Sequence, residues 1–238
     1  LHDALPIFRP CTNLRDSESG ARSPRHKERL RALLERAGTP PSYSGPTLFH
    51  IRDDLFLMMS NHEYGRRGID ADDLTAATVS GRREVHAQVD ALRRLGGPWR
   101  DVHIVATSDH IGVREGRRIH GRVTVTREDL VNGARHADAV TRCMFPVDVH
   151  ATNPETGKGL SREGVRARPY DIPLRALLPK DVDGMLMAGR CISGDFLAHS
   201  SYRVTADAVP MGEAAGCVAA RAATQDCLPH EVRWDPDS

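Results

Sequence analysis

Residues 183–223, near the C-terminal end of the chain, constrain the fold more than any other segment. The apolar run at 184–188 predicts a short strand, and Gly189 follows it directly. After a polar loop, Pro210 predicts the start of a helix, because proline is favoured in the first helical turn. A strand, a glycine turn and a helix in this order predict the edge of an α/β layer.

Small residues fill the start of this predicted helix, at Gly212, Ala214, Ala215 and Gly216. The first turn of a helix has free N–H groups and the positive end of the dipole, which favour an anionic or polar ligand. Glycine would let a flat ring or a phosphate approach the backbone. The alternative is that small residues only allow the helix to pack closely on the strand.

The rest of the chain mixes strand and helix signals. The pattern predicts helices at 24–37 and 74–95, the second ended by Gly96, and a hairpin formed by strands 47–51 and 55–59. Further strands are predicted at 103–107, 122–126 and 144–150. Thr126 and Asp129 predict a capping box that opens a short helix ending at Gly133. The whole pattern indicates an α+β layer joined to an α/β edge.

Composition excludes several classes of function. The 238 residues are 39% hydrophobic and 27% charged, as in globular proteins, and Lys+Arg (33) balances Asp+Glu (32). We therefore expect no nucleic-acid partner, and the absence of a long apolar run predicts no membrane partner. The five cysteines form no C-x-x-C pair, so we expect no metal site and a cytoplasmic location with reduced thiols.

The first residues, LHDALPI, match what one reading frame of a common sequencing adapter encodes, and a polar tract without periodicity follows them. We therefore expect residues 1–22 to be non-native or disordered and to take no part in the fold. The alternative is a natural N-terminal tail of unusual composition.

Several ordered blocks resemble the FAD-dependent oxidoreductase family. The segment MLMAGRCIS, followed by DAVPMGEAAG, is similar to the family's AGR-x-I-S and G-x-AAG elements. Upstream, IGVREGRRIHG is similar to its G-x-R-E-x-R-R-I-x-G motif. The blocks VDVH (147–150), YDIPLRALLP (170–179) and the stretch 68–85 are also family-like. The resemblance thus covers residues 68–223.

The resemblance implies a partial Rossmann-like FAD domain, formed by the C-terminal strand and helix, with an α+β substrate-binding cap. We expect the cap at residues 23–140, the C-terminal part of the FAD-binding domain at 141–228 and a tail at 229–238. The implied activity is hydride transfer between flavin and a small-molecule substrate. The residues implied to lie near FAD are Ala188, Gly189, Arg190, Ser193, Met211, Gly212, Ala215 and Gly216.

The sequence departs from the family in one respect. The family opens with a strand and G-x-G-x-x-G, which cradles the pyrophosphate, and this chain contains no such motif. The nearest match, at 157–159, has no helix signal after it. We therefore expect the chain to be a fragment that needs the N-terminal half of its own protein as a partner and binds FAD weakly or not at all.

Candidate catalytic residues come from an arginine cluster and two histidines. Four arginines fall within residues 114–122, and the family motif favours Arg114 and Arg117 as a cationic wall over the flavin or an anionic substrate. His150 and His199 are candidate acid/base residues. The alternatives are a solvated charged edge and structural histidines. For the whole chain, the alternative to an enzyme is a non-catalytic binding domain that uses the strand–glycine–helix element for packing.

Overall fold

The computed structural model describes residues 5–7, 24–52, 54–151, 153, 155, 160–161 and 163–235. The chain forms two compact units, Leu1–Val113 with Ala151–Gly159, and Arg114–His150 with Leu160–Ser238. Compactness therefore divides the chain after Val113, whereas we placed the division between cap and flavin regions after residue 140. The functional assignment of those regions stays a prediction. Residues 157–159 lie outside the described residues.

The helices of the first unit agree with the sequence. Helix α1 spans Pro24–Arg36, and helix α2 spans Ala71–Leu95. The Asp70 side chain caps α2 by accepting hydrogen bonds from the N–H groups of Asp72 and Asp73. Gly96, with φ +67°, ends the helix as expected. A 3₁₀ turn, Gly97–Trp99, follows it.

A four-stranded antiparallel sheet completes this unit, in the order β2–β3–β1–β4. These strands are β1 (Leu5–Ile7), β2 (Thr47–Arg52), β3 (Leu55–Met59) and β4 (His103–Ala106). The predicted hairpin and the predicted strand at 103–107 are confirmed. Leu5–Ile7 pair with β3 and β4, and the assignment of residues 1–22 as a non-native or disordered segment stays a prediction. The other residues of 1–22 lie outside the described part.

The core of the first unit lies between the helices and the sheet. Helix α1 contributes Leu30 and Leu34, and α2 contributes Val89 and Leu92. The sheet side and the 3₁₀ turn supply Leu48, Phe56, Met58, Trp99 and Val102. The apolar stripes predicted for both helices therefore face one buried cluster.

Among the residues that the structure describes, the second unit contains three helices and two small antiparallel sheets. Helix α3 spans Arg127–Asn132, α4 spans Phe196–Tyr202 and α5 spans Thr205–Gln225. Strand β5 (Ala139–Cys143) pairs with β8 (Tyr170–Pro173), and β6 (Val149–His150) pairs with β7 (Leu160–Ser161). Two 3₁₀ turns lie at Leu174–Ala176 and Gly189–Cys191. The capping box of α3 and its end at Gly133 are confirmed.

Three predicted strands of this unit are wrong or shortened. Residues 122–126 make one isolated bridge, Val125 with Gly194, and the preceding Gly121 bridges Pro179. Residues 184–188 form no strand, and their link to the unit is a backbone hydrogen bond from Met187 to Leu177. Of residues 144–150, Val149–His150 alone form a strand. These runs have strand-like sequences but lack the neighbouring strands that a ladder of hydrogen bonds needs.

Helix α5 starts earlier than expected, at Thr205, and contains Pro210 in its second turn. Proline has no N–H, so the Ala206 carbonyl lacks its usual helical donor at this point. Helix α5 contributes to two buried clusters of the unit, because Met211 lies in one and Val218 in the other, and both side chains are fully buried. The α+β part of the predicted fold is confirmed, and the Rossmann-like detail stays a prediction. No helix in the described ranges combines the length and apolarity required to cross a membrane.

Candidate functional site

The segment 114–126 lies alongside the segment 189–194 in the second unit. The Ile119 N–H donates to the Cys191 carbonyl at 3.0 Å, and the Val125 N–H donates to the Ser193 carbonyl at 3.1 Å. The hydroxyls of Thr124 and Ser193 are 3.0 Å apart. These contacts place the candidate arginine segment next to the first half of the expected flavin-contacting residues.

Gly189 occupies a position that requires glycine. Its φ is +71°, and a Cβ at Gly189 would lie 3.5 Å from the Ala208 Cβ in the first turn of α5. The left-handed backbone therefore turns the chain beside the start of α5. Close helix packing, the alternative to ligand binding, accounts for this glycine equally well.

The glycines of α5 have different surroundings. Gly212 and Gly216 lie one turn apart on the exposed side of the helix, and a Cβ at either would meet nothing within 4 Å. Packing within the described residues therefore gives no reason for glycine at these two positions. Their face offers bare helix backbone to a flat group, so the residues present fit one side of a flavin ring.

The other expected cofactor residues occupy several environments. Ala188 and Ala215 are half-buried against the core, whereas Arg190 is exposed. Met211 is fully buried in the core. Because α5 begins at Thr205, the free N–H groups belong to its first turn, which corrects the expectation that the helix starts at Pro210.

A network of charged side chains lies beside these segments. Arg203, at the end of α4, has a side chain only 7% exposed. It donates from Nη1 to Glu115 Oε1 at 2.7 Å and from Nη2 to the Asp148 carbonyl at 2.6 Å. Arg118 Nη1 donates to the second Glu115 oxygen at 3.2 Å. One buried arginine thus joins the segments that carry Glu115 and Asp148.

The two candidate histidines belong to the same network. His150 Nε2 lies 2.8 Å from Asp148 Oδ1, and Arg114 Nη1 lies 3.8 Å from Asp148 Oδ2. His199 is fully buried, with Nδ1 3.4 Å from Glu115 Oε1. Each histidine therefore has its own carboxylate partner.

The network keeps both carboxyl groups ionised. Burial alone would raise the pKa of Glu115, but the nearby His199 and Arg203 hold it below its usual value. Burial likewise opposes ionisation of Asp148, whereas His150 and Arg114 lower its pKa. The site therefore contains carboxylates that accept hydrogen bonds and arginines that are already partly neutralised by them.

The structure brings together three of the four candidate catalytic residues. Arg114, His150 and His199 join one network, whereas Arg117 is exposed and makes no described contact with it. Sequence reasoning missed Glu115, Asp148 and Arg203. Glu115 and Asp148 stand inside the quoted motif blocks, so their positions could have been found there. Arg203 pairs with Asp148 and Glu115, which lie 55 and 88 positions earlier in the sequence, and no local pattern indicates such a pairing.

A second buried network surrounds the start of α5. Cys143 Sγ donates to Asp207 Oδ2 at 3.0 Å, and the Tyr170 hydroxyl donates to Ser201 Oγ at 3.0 Å. Burial raises the pKa of the Cys143 thiol to about 11 and also raises the pKa of Asp207. Tyr170 is fully buried, and its hydroxyl takes part in this network. Within the described residues, no group of His, Cys, Asp and Glu side chains could hold a metal ion.

Comparison with known families identifies the class of protein. The α+β fold, the glycine face of α5 and the ionised network suit an enzyme that holds a flat cofactor beside polar side chains. The family model described as FAD dependent oxidoreductase matches residues 12–236, and the chain belongs to this family. FAD is the cofactor of the family. Searches of curated proteins and of solved structures give no match.

Proposed function

We propose that the chain contributes the substrate-facing network and part of the flavin-contacting surface of an FAD-dependent oxidoreductase acting on a small molecule. One observation carries this proposal: segment 189–194, expected to contact the flavin, is hydrogen-bonded along segment 114–126, which carries the charged network. When bound, the flavin would supply the hydride acceptor or donor at N5. The side chains of the network would bind and orient the substrate and exchange its proton.

The residues that would hold FAD are those with bare backbone. Gly189 allows the chain to turn beside the start of α5, and Gly212 and Gly216 leave one face of that helix open. Arg190 is exposed beside this turn and carries a positive charge that suits the electron-rich reduced ring. Ala188, Ser193, Met211 and Ala215 would support this surface from the core side.

The polar network would act on the substrate. His150 and His199 are the proton-exchanging groups, because each imidazole lies beside an ionised carboxylate. Arg114, whose side chain is 29% exposed, and the exposed Arg117 would bind an anionic or polyhydroxylated substrate. The burial of His199 excludes water from its ring and strengthens its electrostatic interactions.

We also propose that another part of the protein supplies the main grip on the pyrophosphate. No G-x-G-x-x-G occurs in these 238 residues, and this motif provides the usual phosphate cradle of dinucleotide-binding folds. The chain alone should therefore bind FAD weakly.

Gly212→Leu tests the flavin surface. Leucine would fill the open face, and it favours helix more than glycine does, so the substitution should not destabilise α5. The matched control is Ala223→Leu, an exposed position at the far end of the same helix. FAD titration, followed by flavin fluorescence, should show at least about tenfold weaker binding for Gly212→Leu, equivalent to about 1.4 kcal/mol.

The control variant should bind FAD as the unmodified chain does. Equal affinity of both leucine variants would contradict the proposed surface.

A further inference from the structure

The two histidines of the charged network approach their carboxylates with different ring nitrogens. His199 directs Nδ1 towards Glu115 Oε1, at 3.4 Å. His150 directs Nε2 towards Asp148 Oδ1, at 2.8 Å. A neutral imidazole carries one proton, and the hydrogen bond made by one ring nitrogen decides which nitrogen holds it.

His199 has few alternatives for that proton. Its side chain is fully buried, and neither ring nitrogen has a well-directed hydrogen-bond partner among the described residues. The 3.4 Å approach of Nδ1 to Glu115 is within ion-pair range but long for a hydrogen bond. Tyr202 packs edge-on against the ring with centroids 5.5 Å apart, so the ring is held by packing with Nδ1 on the Glu115 side.

The Glu115 carboxylate is suited to accept a hydrogen bond from the ring proton of His199. Arg203 and Arg118 each donate to its carboxylate, and its pKa is held below the usual value although burial opposes this. An ionised carboxylate accepts hydrogen bonds and donates none. Because Glu115 cannot donate, a neutral His199 gains this contact only with its proton on Nδ1.

We propose that Glu115 is a positioning residue that fixes His199 as the Nδ1–H tautomer and leaves the lone pair on Nε2. By the same reasoning, the 2.8 Å approach of His150 Nε2 to Asp148 Oδ1, which is also not a well-directed hydrogen bond, predicts the opposite, Nε2–H, tautomer for His150. The use of Nε2 in a reaction rests on the proposed oxidoreductase function, whereas the tautomers themselves do not. The same division of labour, with a carboxylate orienting an imidazole, operates in many hydrolytic and metal sites.

The test is ¹⁵N NMR of the 238-residue chain labelled at histidine. Spectra recorded at pH about 8.5, some two units above the ordinary histidine pKa, distinguish a protonated from an unprotonated ring nitrogen. In the unmodified chain, His199 should show a protonated Nδ1 and a bare Nε2, and His150 the reverse. The opposite tautomer for His199, or protonation of both its nitrogens, would overturn the proposal.

Two variants separate positioning from general structure. Glu115→Leu should remove the Nδ1 preference of His199 and leave His150 unchanged, and Asp148→Leu should do the reverse. Glu128→Leu, at an exposed glutamate of α3 in the same unit, should alter neither. An unchanged His199 in a folded Glu115→Leu variant would refute the positioning role.

These spectra need neither flavin nor substrate. Equal FAD affinity of the Gly212→Leu and Ala223→Leu variants would therefore leave the tautomer result intact and refute only the proposed flavin surface. If Glu115→Leu does not fold, the spectrum of the unmodified chain still decides the proposal.

Discussion

Gly121 allows segment 114–126 to approach segment 189–194 closely. A Cβ at this position would lie 2.6 Å from the Ser193 Cβ, 3.0 Å from the Val123 carbonyl and 3.1 Å from the Ala176 carbonyl. Two of these three neighbours are backbone atoms, which cannot rotate away from an added methyl group. In Gly121→Ala, segment 114–126 must therefore move away from segment 189–194.

The cost follows from the size of this overlap. Forcing an extra carbon into a well-packed site typically costs about 1–3 kcal/mol. For a chain of this length, each kcal/mol lowers Tm by roughly 2–4 °C, so Gly121→Ala should melt about 2–12 °C below the unmodified chain. Thermal unfolding followed by circular dichroism measures this shift.

Gly116→Ala is the matched control, because it lies in the same segment and a Cβ there would meet nothing within 4 Å. Its Tm should stay unchanged or rise, since alanine restricts the unfolded chain by about 0.4–1 kcal/mol relative to glycine. If Gly121→Ala and Gly116→Ala have the same Tm, the two segments do not approach each other as described. The reasoning that joins the arginine segment to the flavin-contacting segment would then fail.

Three further outcomes test other parts of the second unit. Iodoacetamide at pH 8, followed by mass spectrometry, should modify exposed Cys217 and spare Cys143, whose burial raises its pKa to about 11; early labelling of Cys143 would contradict its burial. Thr126→Ala should lower the free energy of unfolding by about 1 kcal/mol through loss of the capping box, whereas Thr224→Ala, at an exposed site, should change it little. The pKa of Glu115 is lowered in the folded chain, so the stability that its charge contributes is present above about pH 4.5 and is lost as the pH falls through the folded-state pKa. Glu115→Gln should therefore lose less stability on acidification than the unmodified chain. The difference should be up to about 1 kcal/mol, because this carboxylate is half-exposed. Acid denaturation curves that coincide for the two proteins would exclude that contribution.

The elements predicted correctly are those whose signals are local. The end of α2 at Gly96 and the capping box of α3 each depend on residues within one or two turns. The hairpin of β2 and β3 depends on two apolar runs separated by a polar turn. In each case the residues that decide the structure are neighbours in the sequence.

The errors concern strands, whose existence depends on distant partners. Residues 184–188 look like a strand, but within the described chain they find one backbone bond and no ladder. Strand β5 was missed although it pairs with β8 across some thirty residues of chain. An apolar or β-branched run indicates only that a segment could pair as a β-strand, and the rest of the fold decides its partner strand.

The candidate site was predictable in part for the same reason. Arg114 and His150 stand in motif blocks, and His199 was singled out as a histidine before the last helix; the structure joins all three. The residues that join them, above all Arg203, look like ordinary surface charges in the sequence. Their importance follows from burial and from long-range pairing, which only the fold supplies.

The glycines of the two long helices bear on the proposed flavin surface of α5. A glycine inside a helix costs about 1 kcal/mol relative to alanine. In α2, Gly81 has a reason in packing, because a Cβ there would lie 3.1 Å from Asn61 Nδ2. Gly212 and Gly216 have none among the described residues. Together they forgo about 2 kcal/mol of helix stability, and close approach by a flat group to α5 is the physical reason that fits a member of an FAD-dependent family.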